Sequence, residues 1–396
     1  MLVTLKRQYL NRATLLYETR WMGYHMESIV SEALNGHDEE DTKEKPSADE
    51  EELAPEDEQL RELVDQLEVK IKIFGAGGGG SNTLDRLTQE GLSGGELIAL
   101  NTDAKHLLHT HAQKKILLGK DITSGLGAGA KPEVGEKCAR QSLDEIRDHI
   151  GDSDIIFITA GMGGGTGTGV APVIAEEAKQ EGALAMSVVT LPFEAEGKKR
   201  MRNAKRGLSR LEKHCHTTVV IPNDRLLDLV PDLPLNAAFK VADEILMESI
   251  KGMTEIITKP GLVNIDYNDM RTIMDNGELA MVGIGESDGA NRRVEEAVDQ
   301  ALGSPLLGEV DISESQGALI RVMGGSDMTV SEAEKAAKMV NERISKDARI
   351  IWGCDVNEDM GNKIKILLVV TNVHTESDEF ADQVVGGSDG NIDQIA

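Results

Sequence analysis

Two glycine-rich segments carry the clearest chemical signal in the sequence. Residues 161–169 read GMGGGTGTG and residues 75–83 read GAGGGGSNT, and each lies between an apolar run and a predicted helix. The free N–H groups and the dipole of a helix N-terminus attract anions, and glycine lets an anion approach the backbone. The threonine hydroxyls can donate to phosphate oxygens. The two segments together predict a polyphosphate ligand.

The first segment also fits two other interpretations. Gly75-x-Gly77-x-x-Gly80 after a strand matches the dinucleotide fingerprint, and Asp103 follows the next strand, where a ribose-binding acid is expected. An NAD-dependent Rossmann oxidoreductase is therefore one alternative, and a tight turn without a ligand is another. Neither segment is a P-loop, because no Gly-Lys-Ser/Thr sequence follows.

Strands and helices alternate around these segments. The patterns predict strands at 69–74, 95–104, 115–120, 154–160, 183–193 and 217–223, and helices at 83–91, 131–150 and 171–182. Such alternation predicts a mainly parallel sheet that is covered on both faces. Ligands of such sheets bind at the carboxyl ends of the strands, where both glycine segments fall.

A long helix and a second α/β region follow. Residues 236–258 run without proline and predict one helix that could connect two domains. Four further strands are predicted at 277–287, 317–325, 348–356 and 363–373, with helices at 292–303 and 329–345. We therefore expect a first domain at 69–235, a central helix at 236–258 and a smaller α/β domain at 259–373.

The charge of the chain is large and unevenly distributed. The formal net charge is −27, which disfavours binding to nucleic acid or to an anionic membrane. Residues 26–68 hold 17 acids and three bases, and residues 374–396 hold six acids and no Lys or Arg. Both predict disordered acidic segments, so we expect an N-terminal extension at 1–68 and a tail at 374–396. We interpret basic, aromatic residues 1–25 as preceding a translation start at Met26, with an amphipathic anchor as the alternative.

Cysteine and histidine usage indicates a reducing compartment without a metal site. The three cysteines are far apart, and no apolar run is long enough for a signal peptide or a membrane span. Histidines cluster in HLLHTHAQ and HCH, but neither cluster has the paired spacing of tetrahedral ligands. We expect a cytoplasmic protein with no structural metal.

The order of the motifs points to a family. GAGGGGSN, GGGTGTG, PFEAEGKKR, IPNDRLL and GLVNIDYNDM follow one another in an arrangement that resembles FtsZ, the prokaryotic homologue of tubulin, in its archaeal branch. The resemblance covers 69–373 and implies a Rossmann-like parallel-sheet GTPase domain, a long central helix and a smaller C-terminal α/β domain. It also implies a GTPase that assembles head to tail into filaments of the cell-division (Z) ring.

The resemblance assigns the site residue by residue. The implied GTP-binding residues are Gly77, Gly78, Gly79, Gly80, Ser81, Asn82, Asn101, Asp103, Gly127, Ala128, Gly129, Ala130, Gly164, Gly165, Thr166, Gly167, Thr168, Glu196, Arg200, Asn223 and Asp243. Among them, Asn223 and Asp243 would read the guanine edge, since an amide and a carboxylate match its acceptor and donors. The implied catalytic residues are Asn264, Asp266 and Asp269, which would enter the site of the next subunit and polarise the attacking water.

Cofactors and partners follow from the same resemblance. It implies GTP or GDP with Mg²⁺, self-assembly, and division adaptors or membrane-anchor proteins as partners, at a mid-cell ring. Nucleic acid and direct membrane insertion are not expected. A second function within the superfamily is a CetZ-type filament that controls cell shape, although the GTGTG ending and the NIDYND loop favour FtsZ.

Overall fold

The computed structural model describes residues 69–229, 235–259, 267–275, 279–289, 292–308 and 312–371. The predicted disordered ends, 1–68 and 374–396, lie outside the described residues, as do Asn264 and Asp266.

Ten strands form one sheet in the described part of the chain, in the order β3-β2-β1-β4-β5-β6-β7-β10-β8-β9. They are β1 (Ile71–Ala76), β2 (Gly95–Asn101), β3 (Lys114–Leu117), β4 (Ile155–Gly161), β5 (Leu184–Leu191), β6 (Thr217–Pro222), β7 (Leu279–Ser287), β8 (Gly317–Gly324), β9 (Arg349–Val356) and β10 (Ile364–Thr371).

Helices cover this sheet. They are α1 (Gly77–Gln89), α2 (Ala104–His109), α3 (Lys120–Thr123), α4 (Pro132–Gln141), α5 (Leu143–Ile150), α6 (Thr166–Gln180), α7 (Lys198–His214), α8 (Asn223–Leu229), α9 (Leu235–Thr258), α10 (Tyr267–Met274), α11 (Arg293–Leu302) and α12 (Val330–Asn341). Short 3₁₀ helices occur at Glu194–Glu196, Pro305–Leu307, Ile312–Glu314 and Glu358–Met360.

The first six strands are parallel. β4, β5 and β6 are buried on both faces, whereas Lys114 and Lys115 of the edge strand β3 are exposed. Ile73 and Phe157 point to the face that packs with α1, α9 and α10, whereas Phe74 and Ile158 point to the face that packs with α4–α7. This alternation follows from the two-residue period of a strand. The predicted parallel sheet with helices on both faces is confirmed, and all first-domain strands end at one edge.

The later strands extend the same sheet. β6 pairs in parallel with β7 through Thr218↔Leu279 and Val219↔Ala280, β10 is antiparallel to β7 and β8, and β8 is parallel to β9. Helices α11 and α12 pack on the apolar residues of this mixed half. The predicted helix at 236–258 occurs as α9. The domain boundaries given above stay a prediction.

A buried ionic cluster joins α9 to the second half of the sheet. Arg321 of β8, which is 5% exposed, lies 2.5 Å from the Glu255 carboxylate of α9 and donates through Nε to Asp355 over 2.7 Å. Glu255 is 1% exposed. Gly252 makes room for this arrangement, because a Cβ there would lie 2.5 Å from Leu367 Cδ2 and 3.5 Å from Arg321 Cδ.

Three local predictions differ from the structure. The glycine segments, predicted as loops, supply the first turns of helices: α1 begins at Gly77 and α6 at Thr166. The helix predicted at 131–150 is broken at Ser142 into α4 and α5. Helix α7 was not predicted, because its many Lys and Arg residues obscure a narrow apolar stripe of Ala204, Leu208 and Leu211.

Candidate functional site

Two helix N-termini meet at the carboxyl edge of the parallel strands. α1 follows β1 directly and α6 follows β4 after a short turn, and β1 and β4 are neighbours. A Cβ on Gly77 would lie 2.7 Å from the backbone N of Gly167, so the first turns of the two helices are in contact. Neither helix has a side-chain cap, which leaves N–H groups available for an anion.

The glycines at this edge are of two kinds. Most are required because another backbone lies against them: a Cβ would lie 2.4 Å from Thr159 O at Gly80, 2.9 Å from Gly161 N at Gly79 and 2.9 Å from Gly161 O at Gly167. In contrast, a Cβ on Gly164 would meet nothing within 4 Å, and one on Gly78 only His106 Nε2 at 3.8 Å. Most of the glycines therefore serve close backbone packing, and a few leave open space where a ligand could lie.

A third segment, residues 125–131, lies against the turn before α6, since a Cβ on Gly165 would lie 2.8 Å from Ala128 Cβ and 2.9 Å from Lys131 N. The Gly127 N–H donates to Thr102 O over 3.0 Å, and Asp103 forms an antiparallel bridge with Leu126. The hydroxyls of Thr102 and Thr166 lie 2.7 Å apart and share a hydrogen bond. The predicted residues of this segment therefore lie beside α6. Ala130 has φ +56°, a left-handed conformation that is unfavourable for a residue with a Cβ.

Polar side chains around β2 shape the same edge. Asn101 Oδ1 accepts from the Asp103 N–H over 3.1 Å, and the Asp103 carboxylate caps α2 by accepting from the His106 N–H over 2.9 Å. Asn82, Asp103 and His106 border a groove of about 310 Å³. Asp103 therefore has a structural role as a helix cap.

Thr168 and Asn203 hold the loops together. The Gly163 N–H donates to Thr168 Oγ1 over 2.8 Å, and Thr168 is 1% exposed, so its hydroxyl lies inside the protein. The Asn203 amide of α7 donates to Ala130 O over 3.3 Å and to Gly163 O over 3.4 Å. Asn203 thus links the two loops across the site. Sequence reasoning missed it because α7 itself was not predicted.

Glu196 and Arg200 lie side by side at the start of α7. They form an ion pair, and the Phe193 N–H donates to Glu196 Oε1 over 3.0 Å. Phe193 packs edge-on against Phe239 of α9, with ring centroids 4.9 Å apart. Phe239 is 38% exposed although it is aromatic, and it lies one helical turn before Asp243. Its i, i+4 spacing from Asp243 is a signal that the sequence analysis did not use.

Asn223 is a buried polar residue and Asp243 a half-buried one, as expected of side chains that bind a ligand. Asn223 directly follows β6 and is 4% exposed, and within the described residues no group hydrogen-bonds to its side-chain oxygen. Burial raises the pKa of Asp243 to about 6, and Arg86 and the Asn82 amide oppose that rise. Buried polar groups are normally satisfied, so an acceptor without a partner indicates a ligand or water.

Ser81 adds a second such group at the first turns of α1. The Ser81 side chain is fully buried, and its hydroxyl has no hydrogen-bond partner among the described residues. Both orphan groups, Ser81 and Asn223, follow the carboxyl ends of first-domain strands, β1 and β6. These two predicted GTP-binding residues therefore follow strands that end at a single edge of the sheet. Asp243 instead lies on α9.

Asp269 lies at the opposite edge. It belongs to α10, whose ends are fixed at the amino ends of strands: Thr217, the first residue of β6, donates to Met274 O over 2.7 Å, and Tyr267 OH donates to Asp154 O over 3.4 Å, just before β4. The six residues of β6 span about 20 Å at about 3.3 Å per residue. Asp269 and the glycine loops of the same chain are therefore separated by about the length of one strand.

The described residues contain no group of three or more His, Cys, Asp or Glu side chains arranged to hold a metal ion. Within the same residues, no helix is both long enough and apolar enough to cross a membrane.

Comparison with known proteins agrees with this geometry. The GTPase domain of the Tubulin/FtsZ family matches residues 70–231, and the C-terminal domain of the FtsZ family matches residues 278–374. The chain belongs to the FtsZ family. The GTPase-domain match covers the glycine segments, Glu196, Arg200 and Asn223, so the chain is a GTPase with the tubulin/FtsZ fold.

Individual relatives are similar over most of the chain. Cell division protein FtsZ 1 of Methanocaldococcus jannaschii is 52% identical over 331 residues, which are 84% of this chain and 90% of that relative. Cell division protein FtsZ 1 of Halobacterium salinarum is 50% identical over 317 residues, 80% of each chain. A solved FtsZ dimer of M. jannaschii superposes with a TM-score of 0.78 at 50% identity and covers 87% of this chain and 99% of that one.

The CetZ group is more distant. CetZ1 of Haloferax volcanii has a TM-score of 0.65 at 19% identity, covering 76% of this chain and 94% of that one, which shows a shared fold. The family assignment therefore favours FtsZ over the cell-shape alternative. It also removes the oxidoreductase alternative, because the fingerprint Gly75-x-Gly77-x-x-Gly80 falls inside a GTPase domain.

Proposed function

We propose that two copies of this chain hydrolyse GTP between them: one copy binds the nucleotide at the carboxyl edge of its sheet, and the next supplies the acids of its 264–269 segment. The observation that carries this proposal is the position of Asp269 at the far edge of the sheet from the glycine loops. An acid about 20 Å from its own loops cannot reach its own nucleotide. A second copy, stacked in the same orientation, can present it.

The carboxyl edge offers suitable partners for each part of GTP. The contacting N-termini of α1 and α6 would hold the phosphates through N–H groups, with the Ser81 hydroxyl as an additional donor. Arg200 adds a cation beside this edge. Asn223 and Asp243 would read the guanine, because the amide nitrogen can donate to O6 while the carboxylate accepts from N1–H and N2–H. The exposed ring of Phe239 would stack on the base.

Mg²⁺ would accompany the nucleotide. It prefers oxygen ligands, retains several waters and is usually bound by substrate phosphates with one or two carboxylates. The described residues hold no three-acid cluster, which fits an ion carried mainly by the phosphates. When bound, Mg²⁺ would offset phosphate charge.

The acids of the next copy would complete the reaction. The Asp269 carboxylate, together with Asn264 and Asp266, would accept a hydrogen bond from the attacking water and orient it toward the γ-phosphate. Asn223 and the glycine loops hold the nucleotide still during this step. Hydrolysis would then follow assembly.

Assembly of this kind produces filaments. The contact joins the carboxyl edge of one copy to the amino edge of another, so it is heterologous and need not close into a ring of fixed size. A related solved structure is named an FtsZ dimer, and the relatives are named cell division proteins, which supports a division filament. We further propose a cytoplasmic location at a mid-cell ring, adaptor or membrane-anchor proteins as partners, and the domain boundaries given above.

The experiment is phosphate release from GTP over a range of protein concentrations, with the same samples pelleted. We expect activity per subunit to rise above a threshold concentration and pellets to form with GTP. Asp269→Ala should pellet but hydrolyse poorly, whereas Asp148→Ala, a change of the same kind at an exposed position of α5, should behave like wild type. Constant activity per subunit without pellets in suitable salt and Mg²⁺ would contradict the proposal.

A further inference from the structure

The C-terminal end of α10 is fastened to the first residues of β6. Thr217 Oγ1 donates to the carbonyl of Met274, the last residue of α10, over 2.7 Å. Thr217 is 2% exposed and Met274 is fully buried, so water does not compete for this bond. Carbonyls in the last turn of a helix lack partners within the helix, so the threonine hydroxyl satisfies a group that would otherwise be unpaired.

His216 adds a second contact at the same end. Its Nδ1 accepts a hydrogen bond from the Ala185 N–H of β5 over 2.9 Å, which places the proton of the neutral ring on Nε2. Nε2 lies 3.7 Å from the Asp275 carboxylate, directly after α10. The other charged groups near the ring are Lys179 of α6 and Arg271 of α10. The ring is thus held in one tautomer by β5 and faces the end of α10.

At the start of α10, the polar contact with the parallel strands is longer. At its start, Tyr267 OH donates to Asp154 O over 3.4 Å, and Arg271 donates to the same hydroxyl over 3.1 Å. Met270 and Ile273 are buried in the core between α10 and the sheet. At 2.7 Å, the bond from Thr217 to the end of α10 is shorter than the bond from Tyr267 at its start.

We propose that Thr217 and His216 are positioning residues that fix α10, and with it Asp269, relative to the parallel sheet. This inference rests on the proposed function of Asp269. Thr217, the first residue of β6, bonds to α10, and the last residue of β6 is followed directly by Asn223 at the nucleotide edge. All six residues of β6 are buried, so the strand acts as a rigid spacer between the two half-sites of one copy. The length of β6 therefore sets the position at which one copy presents Asp269 to the nucleotide of the next copy.

Thr217→Val is the direct test, because valine keeps the shape of threonine and removes the donor. We expect GTP hydrolysis per polymerised subunit to fall about tenfold or more, since small misplacements of catalytic groups have effects of that size. GTP affinity and the threshold concentration for pelleting should stay at the wild-type values. Thr217→Ser, which keeps the hydroxyl, should restore hydrolysis.

Thr218→Val is the matched control. Thr218 is 1% exposed and adjacent on the same strand, but its hydroxyl hydrogen-bonds to Ser187 Oγ of β5 over 2.9 Å instead of to α10. A general loss of stability would affect both variants, whereas loss of positioning affects hydrolysis only in Thr217→Val. Normal hydrolysis in Thr217→Val, or an equal loss in Thr218→Val, would overturn the inference.

Two further measurements separate the possible failures. Amide hydrogen exchange of the peptide covering 267–275 should be faster in Thr217→Val than in Thr218→Val, and equal exchange would overturn the inference even if assembly were impaired. Asp269→Ala is assayed in parallel. If Asp269→Ala hydrolyses GTP normally, the proposed function fails; if it is inactive while Thr217→Val is normal, only the positioning role fails.

Discussion

The side-chain amide of Asn82 donates to the carboxylate of Asp243 over 3.4 Å. This hydrogen bond joins α1, which would receive the phosphates, to α9, which would contact the base. Arg86 and Glu244, on the same two helices, form an ion pair nearby. The phosphate-binding and base-reading parts of the site are therefore joined directly, so a change at Asp243 should alter nucleotide binding.

GTP binding should weaken in mild acid. Burial raises the pKa of Asp243 to about 6, so the free protein binds a proton there below that pH. The N–H donors of guanine need the ionised carboxylate of Asp243 as their acceptor. The proton on Asp243 must therefore be released when GTP binds. Affinity should therefore be about tenfold lower at pH 5 than at pH 7. The measurement is GTP titration by calorimetry at both pH values.

Asp243→Asn provides the control for this pH dependence. Its affinity should be low and nearly the same at both pH values, because the titrating group is gone. The same residue affects the stability of the free protein. Its pKa in the folded protein lies above the ordinary value of an aspartate, so its stabilising contribution is full below about pH 4 and is lost as the pH rises through about 6. A wild-type GTP affinity that is independent of pH between 5 and 7 would contradict the role of Asp243.

Gly164 and Gly167 should respond differently to the same change. A Cβ at Gly167 would lie 2.9 Å from Gly161 O and 3.1 Å from Ala76 O, so Gly167→Ala should lower the free energy of unfolding by about 1–3 kcal/mol. A Cβ at Gly164 meets nothing within 4 Å, so Gly164→Ala should unfold like wild type and bind GTP less tightly. Thermal unfolding and GTP titration of both variants check this, and equal stability losses would be inconsistent with it.

Asn203→Ala should loosen the loops around the phosphates. It removes the hydrogen bonds that the amide donates to Ala130 O and Gly163 O and the one that its oxygen accepts from Arg206. The change should lower the free energy of unfolding by about 1–2 kcal/mol and weaken GTP binding. Ser209→Ala on the same helix is the control and should change neither. Denaturant unfolding and GTP titration provide the readout; an Asn203→Ala protein with wild-type affinity would show that the bridge is dispensable.

Charge removal should matter far more in the buried cluster than at the surface. Glu255→Gln removes one of the carboxylates that neutralise the buried Arg321. It should reduce the free energy of unfolding by about 3 kcal/mol. Glu334→Gln breaks the exposed pair with Lys338 on α12 and should change it by less than about 0.5 kcal/mol. The measurement is urea unfolding of both variants. Similar losses of unfolding free energy in the two would argue against a structural role for the cluster.

Much of the nucleotide edge could be predicted from the sequence because its signals are local. Strand, glycine run and helix follow one another within 71–89 and within 155–180, so the sequence places both glycine segments at strand ends, as the structure does. The reason for most of the glycines was not predictable. The contact of Gly77 with Gly167 joins residues far apart in the chain, and only the pairing of β1 with β4 brings them together.

Other features depend on tertiary structure in the same way. Asn203 lies on a helix whose charged residues outnumber its apolar ones, and its partners come from two separate loops. The position of Asp269 depends on the hydrogen bond between α10 and β6, and no sequence pattern predicts that bond. Phe239 was the exception, since its spacing from Asp243 was visible in the sequence.

The central claim is that the acid acts on the nucleotide of a neighbouring copy. Asp269→Ala subunits, which keep an intact nucleotide edge, are loaded with γ-³²P-labelled GTP and mixed with excess wild-type subunits. Excess unlabelled GTP in the buffer prevents labelled GTP that dissociates from rebinding to wild-type subunits. If the acid acts between copies, the label on the mutant subunits is released at the rate of wild-type filaments. If labelled GTP persists in the mixed filaments, the acid acts within one copy and the shared-site account is wrong.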